Sequence, residues 1–229
     1  MDPDRLARVT QALNHPRTPA GVDGVVAVCV DLLRVTGAGI ALIGNGQHRG
    51  AIAVSDPGLA AVDELQFSLG EGPCLDADRQ GRPVLEPDLN RAQRQWPAWT
   101  PAAMAEGIHA AFAFPLQVGG AHLGALTLYR ATPGDLTERD VGDALFLADL
   151  ATGLLLDLEA GTPPGSLPER LSDITAHRAE VHQATGMIAA QLDVTVAQAL
   201  TRLRARALAE GRPIRDVAAD VVARRLRFS

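Results

Sequence analysis

The residues best equipped for chemistry crowd the last third of this chain. Arg202, Arg204 and Arg206 alternate along one run, Arg212 and Arg215 follow a break, and Arg178, His182 and Gln183 precede it. The chain has no lysine, so all 21 of its basic residues are arginines. Each is a planar fork that binds phosphate bidentately or stacks on a base. The imidazole and amide at positions 182 and 183 add groups able to pair with exposed base edges. Charge alone supports a solvated arginine face equally well. Gly186 lies in a helical stretch, where glycine costs about 1 kcal/mol relative to alanine. Its missing side chain admits either a nucleotide or a neighbouring helix.

These side chains have to be positioned by helices. Leu167, Leu171, Ile174, Arg178, Val181, Thr185, Ile188 and Leu192 follow alternating spacings of four and three. Leu, Ile, Val and Ile in one series favour a two-stranded parallel coil. A single helix packing on its own bundle explains Val181 to Leu192 at least as well. Thr195 with Gln198 three residues later forms a capping box that starts a second helix, and Gly211 suits its C-terminal cap. Pro213 suits the first turn of a third helix, whose apolar stripe is Ile214, Val217, Ala218, Val221 and Val222.

The front part reads differently. Val22, Val25, Val26, Cys29, Val30 and Leu33 share one face of a helix from about residue 22 to 34. Two β-like runs, 38–43 and 50–54, flank Gly44-Asn45-Gly46, a strong hairpin signal. Residues 60–69 fit a short helix or a strand, a turn at Gly70-Glu-Gly-Pro73 leads to a short helix over 74–80, and 84–85 is a brief strand. Residues 86–100, with Trp96 and Trp99, read as an irregular loop, and 102–106 as a helical turn. Phe112, Phe114, Leu116 and Val118 alternate as a half-buried strand does, with Pro115 placing it at an edge or a bulge. A returning strand covers 122–129. Thr137, with Asp140 three residues on, starts a long helix whose apolar positions are Val141, Leu145, Ala148, Thr152, Leu155 and Leu158. This order predicts an α+β fold: an antiparallel sheet flanked by helices, then a coiled-coil helix and a three-helix bundle. Gly161-Thr-Pro-Pro-Gly-Ser166 cannot continue a helix. The expected domains are 1–160, a linker over 161–168, and 169–229.

Composition narrows the function. An apolar fraction of 47% supports a packed core, and no apolar run approaches the roughly 20 residues of a membrane span. The first fourteen residues lack a signal-peptide pattern, so Cys29 and Cys74 are expected as reduced thiols in the cytoplasm. Cys74 beside its turn suits a redox-sensing or adduct-forming thiol, although a packing cysteine is the commoner case. The net charge of −6 conceals an asymmetry: residues 1–167 carry 11 Arg against 20 acids, and 168–229 carry 10 Arg against 7. An acidic front and basic tail suit a regulator with a nucleic-acid-binding appendix. Six scattered histidines lack ligand spacing, so no metal site is expected. Without a phosphate-binding loop or a nucleophile elbow, an enzyme is not expected either.

Residues 171–222 resemble the ANTAR domain, the RNA-binding module of transcription antitermination regulators. The resemblance rests on Arg178, on Gln183-Ala184-Thr185-Gly186, on Ala199-Leu200 through Leu203-Arg204 to Ala207, and on Asp216-Val217-Ala218. It departs at Thr185, where the family usually has Lys. The front resembles a GAF domain, a small-molecule sensor fold, at Gly70-Glu-Gly-Pro-Cys74, Phe114-Pro-Leu116 and Leu123-Gly-Ala-Leu126. Together these resemblances imply a dimeric RNA-binding antitermination regulator that captures paired stem-loops in nascent leaders and so disfavours the terminator hairpin. The implied RNA-contacting residues are Arg178, His182, Gln183, Ala184, Thr185, Gly186, Met187, Arg202, Arg204, Arg206, Arg212 and Arg215. Expected partners are structured RNA and a second copy of the chain, with no membrane and no cofactor; the front domain either binds an unassigned small molecule or, the reading preferred on sequence, only dimerises. The alternative is a small-molecule-sensing GAF protein whose helical tail makes protein or DNA contacts.

Overall fold

The computed structural model describes residues 3–44, 47–119, 121–160 and 169–228, with the backbone alone for 3, 44, 47–49, 159–160, 169–179, 182 and 197. The chain divides into two compact units, Met1–Gly165 and Ser166–Ser229. The expected linker at 161–168 and the Asn45-Gly46 turn lie outside the described residues.

In the first unit, helices α1 (Pro3–Leu13) and α2 (Gly21–Leu33) lead into strands β1 (Gly37–Gly44) and β2 (Gln47–Val54). Then come α3 (Pro57–Leu69), α4 (Pro73–Gln80), β3 (Val84–Glu86), a 3-10 turn over Leu89–Arg94 and α5 (Trp99–Ala105). Strands β4 (Ala110–Val118) and β5 (Ala121–Arg130) and helix α6 (Glu138–Ala160) complete it. The five strands form one antiparallel sheet in the order β2-β1-β5-β4-β3.

The strand pleat explains how the sheet is covered. Ile40, Phe112, Phe114, Leu116, Leu126 and Leu128 face one way and join Val25, Cys29, Leu33, Leu147 and Leu155 in a core beneath α2 and α6. The opposite face carries small residues, Gly37, Gly39, Ala41, Ala111 and Ala125, so α3 and α4 approach the sheet closely. A side chain on Gly37 would run into Leu59 of α3. Pro115 sits on the inner strand β4, two positions beyond the stretch paired with β3 (Ala111 to Ala113), so its missing N–H leaves no bond to β3 unmade.

Several expectations change. Residues 60–69 are helical, because Asp56 caps α3 by accepting from Gly58 N–H at 2.7 Å and Pro57 suits the first turn. The expected loop over 86–100 is largely ordered by the 3-10 turn and the start of α5. Thr137 and Asp140 exchange both bonds of a cap before α6, each at 3.1 Å. The buried stripe of α6 is Ala144, Leu147, Ala148, Ala151, Thr152 and Leu155, while Leu145 and Leu158 are exposed. The small alanines let α6 lie close to α2, and an apolar side chain need not mark the packing face.

The second unit consists of α7 (Glu169–Leu192), α8 (Val196–Glu210) and α9 (Ile214–Val222). Thr195 and Gln198 make the capping box, at 3.0 and 3.3 Å. Gly211 closes α8 in the left-handed region at φ +61°. The core is Val181, Ala184, Thr185 and Ile188 from α7, Ala199, Leu200, Leu203 and Ala207 from α8, and Ile214, Val217, Ala218 and Val221 from α9. Leu167 lies outside the described residues, and Leu171, Ile174 and Arg178 have no described side chains, so most of the heptad seam is likewise outside.

Candidate nucleic-acid interface and a buried polar cluster

The face of α7 that turns away from the trihelical core carries Gln183, Gly186, Ala190 and Gln191, all exposed, with Met187 half-buried among them. The spacings of three, four and eight put these residues on one side of the helix. A Cβ added at Gly186 meets nothing within 4 Å. No neighbouring helix of this unit therefore fills the space that glycine leaves, among the described residues. Arg178 and His182 lie on the α7 backbone, and their side chains are outside the described set.

Two residues expected to contact RNA prove to be core. Ala184 is wholly buried and Thr185 is 2% exposed. The Thr185 hydroxyl donates to the Val181 carbonyl at 2.6 Å, the usual way a helical threonine satisfies itself. Alternating spacing along α7 places Thr185 beside Val181 and Ile188, so it cannot share the outer face with Gln183. Its place is that of a core residue.

The arginines differ in their surroundings. Arg206 on the last turns of α8 pairs with Glu210. Glu210 also accepts from Arg212 at 3.1 Å, Arg212 donates to Asp220 of α9 at 2.6 Å, and Asp220 pairs with Arg225 at 2.8 Å. The guanidiniums hold both carboxyls below the ordinary carboxylate range, chiefly by hydrogen bonds from Arg206 to Glu210 and from Arg212 to Asp220. Arg215 stands 3.5 Å from Asp216. Arg204 is half-buried. Arg202 is exposed and makes no ion pair among the described residues. Adjacent ion pairs are screened by solvent and individually weak, so a phosphate can displace a carboxylate from such a guanidinium.

The first unit holds a cluster that sequence reading missed. On the small-residue face of the sheet, Asp63 of α3 is 1% exposed and Gln66 and Tyr129 wholly buried. Tyr129 donates its phenol to Asp63 Oδ1, and Gln66 Nε2 donates to Tyr129 Oη at 3.1 Å. Gln66 Oε1 accepts the Cys74 backbone N–H at 2.8 Å, which fastens the turn before α4 to α3. Asp63 Oδ2 is buried without a hydrogen-bond partner among the described residues. Burial pushes the Asp63 carboxyl up to about 6, against the opposing pull of its bonds from Tyr129 and Gln66. The three-residue spacing of Asp63 and Gln66 was a legible signal once 57–69 was known to be helical.

The glycine-rich turn before α4 has a mechanical role. Glu71 accepts from the N–H groups of Ala98 and Trp99 at 2.6 and 2.7 Å, at the start of α5. Asp76 accepts from the Trp96 indole at 3.0 Å. Trp96 and Trp99 pack edge to face, 5.6 Å between centroids, and are fully buried. Both cysteines are free and buried, and burial pushes both thiols up, away from the reactive thiolate. Among the described residues no His, Cys, Asp and Glu group is placed to hold a metal ion, and no helix is long and apolar enough to cross a membrane.

Comparisons with known proteins agree with this division. Residues 20–155 match the GAF domain family and residues 169–222 match the ANTAR domain. Similar solved structures include the GAF domain from Acinetobacter phosphoenolpyruvate-protein phosphotransferase, at 17% identity and TM-score 0.51 over 69% of this chain and 93% of that one. The GAF domain of a phosphoenolpyruvate-protein phosphotransferase from Coxiella burnetii is alike at 17% identity and TM-score 0.51, over 69% and 94% of the two chains. At such identity the likeness shows the fold alone. The comparison with curated proteins returns no match. An ANTAR domain implies the RNA-binding antitermination regulators and a GAF domain implies a sensor, both regulatory modules. The chain thus belongs to the GAF domain family and joins that domain to a C-terminal ANTAR domain.

Proposed function

We propose that this protein is a dimeric, non-catalytic regulator that captures paired stem-loops in nascent RNA leaders and thereby disfavours a competing terminator hairpin. The domains are read as 1–160 for sensing and dimerisation, 161–168 as linker, and 169–229 for RNA. The observation carrying the reading is Gly186: a helix-interior glycine, costly by about 1 kcal/mol, whose open side no described residue of its own unit fills. A nucleotide brought against the α7 backbone accounts for it. Gln183 and His182 read base edges, Met187 supplies apolar contact, and Arg178, Arg202, Arg204, Arg206, Arg212 and Arg215 contact phosphates or stack on bases. Ala184 and Thr185 support that surface from behind. Binding energy selects one of two RNA folds by differential affinity. The front domain takes a small-molecule signal, and the protein acts in the cytoplasm.

Gel shifts with paired hairpins from host leader transcripts, against duplex DNA as competitor, test the reading. The full chain is expected to retain hairpins in the presence of DNA. Gly186→Ala should preserve or raise helix stability and weaken hairpin binding about tenfold or more, because the added methyl stands where the nucleotide must come. Failure of the full chain to bind any hairpin pair in dilute buffer, or full affinity in Gly186→Ala, overturns it.

A further inference from the structure

The charge of the C-terminal unit is unevenly placed. Residues 169–222, the span matching the ANTAR domain, hold 7 arginines and 7 acids and are formally neutral. The surplus of three positive charges falls on Arg224, Arg225 and Arg227, beyond that span. Within it, Glu210 and Asp220 already engage Arg206 and Arg212. A neutral patch gives little long-range attraction for a polyanion, whose capture releases condensed counterions in proportion to the phosphates neutralised.

This basic segment is held in place. Arg224 takes the left-handed conformation at φ +59°. Its N–H donates to the Val221 carbonyl at 3.0 Å, and those of Arg225 and Leu226 donate to the Asp220 carbonyl at 2.8 and 3.1 Å. The Phe228 N–H donates to Gln191 Oε1 of α7 at 3.0 Å, and the Asp220 carboxylate fixes the Arg225 guanidinium. Leu226 and Phe228 are half-buried, while Arg224, Arg225 and Arg227 are exposed. Arg224 and Arg227 make no ion pair among the described residues. Apolar residues turned inward and arginines outward make a pre-ordered cationic edge, which spares the entropy of ordering a loose tail. Gln191, the residue that holds Phe228, lies eight positions after Gln183 on the same exposed face of α7, about 12 Å along the helix. The edge and the proposed base-reading face are therefore continuous.

We propose that the segment following α9 is a second, sequence-independent phosphate-binding edge of the RNA interface, acting through Arg224 and Arg227. The proposal rests on the RNA reading above. Single-stranded RNA or DNA of other sequence would share its phosphate chemistry, so the edge raises affinity for all hairpins alike and leaves the preference among them to α7.

The test compares the full chain with an Arg224→Gln/Arg227→Gln variant across about 0.05 to 0.3 M salt, using one leader hairpin pair and a scrambled-loop control. The variant should bind both RNAs at least roughly tenfold more weakly near 0.05 M salt. The slope of log affinity against log salt should shrink by about 1.5, two contacts at about 0.7 to 0.9 each. The ratio between the two RNAs should not change. An Arg224→Lys/Arg227→Lys variant should restore the slope, because point charges suffice for counterion release; if the double glutamine variant fails to fold, Arg227→Gln alone should shrink the slope by about 0.8, one contact. Unchanged affinity and slope in the glutamine variant, or no restoration by lysine, would overturn the second edge while leaving the RNA reading intact. A full chain that binds neither RNA would overturn both.

Discussion

Replacing Asp63 with asparagine should flatten the pH dependence of the first unit's stability between about pH 4 and 6. In the folded chain the carboxyl lies under α3 against Gly39, 1% exposed, with Tyr129 and Gln66 donating to it. Loss of hydration outweighs those bonds and moves its titration from 3.8 to about 6. The raised value means the neutral acid suits the fold and the carboxylate does not. The neutral form's contribution to stability is therefore complete below about pH 4, where the unfolded chain is also protonated, and is lost as pH rises through about 6. At about 1.4 kcal/mol per pH unit, the gap between the two titrations amounts to about 3 kcal/mol. Asparagine keeps an acceptor for the Tyr129 phenol and does not ionise, so its curve lacks this fall. Both tryptophans of the chain lie in this unit, buried beside α3 and α5, so urea unfolding followed by their fluorescence reports on it directly. The quantity to compare is the difference between wild-type and Asp63→Asn midpoints from pH 4 to 7. It should change by an amount equivalent to about 3 kcal/mol, wild type losing ground as pH rises. Parallel curves would show that Asp63 titrates normally in the fold and that its burial argument is mistaken.

Two further outcomes follow from packing. Asp143→Asn should free α1, because the buried carboxylate of α6 receives Arg5 at 2.8 Å and Arg8 at 2.7 Å; both arginines are partly solvated, so the loss should be about 1–3 kcal/mol, short of a fully buried pair, and an unchanged urea midpoint would contradict it. Thr185→Val should alter stability by about 1 kcal/mol or less, since a bond internal to α7 is exchanged for a buried methyl, and hairpin affinity should stay the same; a selective loss of RNA binding in a normally folded variant would return Thr185 to the interface.

Much of the scaffold was legible because local chemistry repeats. The caps at Thr137 and Thr195, the glycine stop at Gly211 and the alternation of Phe112, Phe114 and Leu116 are each decided within a few residues. Helix α3 was not, because its start depends on Asp56 and Pro57, which lie ahead of its apolar residues. The stripe of α6 was misplaced for a related reason: Leu145 is the larger apolar residue, but Ala144 fits where α2 comes close. At the interface, the motif Gln183-Ala184-Thr185-Gly186 identifies the domain, yet the motif mixes two roles. Ala184 and Thr185 face the core and Gln183 and Gly186 face outward, a split that follows from 100° per residue but whose phase depends on where α8 and α9 pack.

Composition and spacing by themselves determined an α+β front, a helical rear and the arginine-only cationic chemistry, while the family of each part came from the resemblance of its motifs. Those properties depend on short-range propensity and periodicity, which a chain carries in any conformation. Only tertiary structure decided that Asp63 and Gln66 meet Tyr129, that Arg212 reaches Asp220 of α9, and that Phe228 returns to Gln191. These are meetings of residues distant in the chain or on different elements. Which of them occur depends on how each face is buried, and that is settled by packing against partners no local window contains.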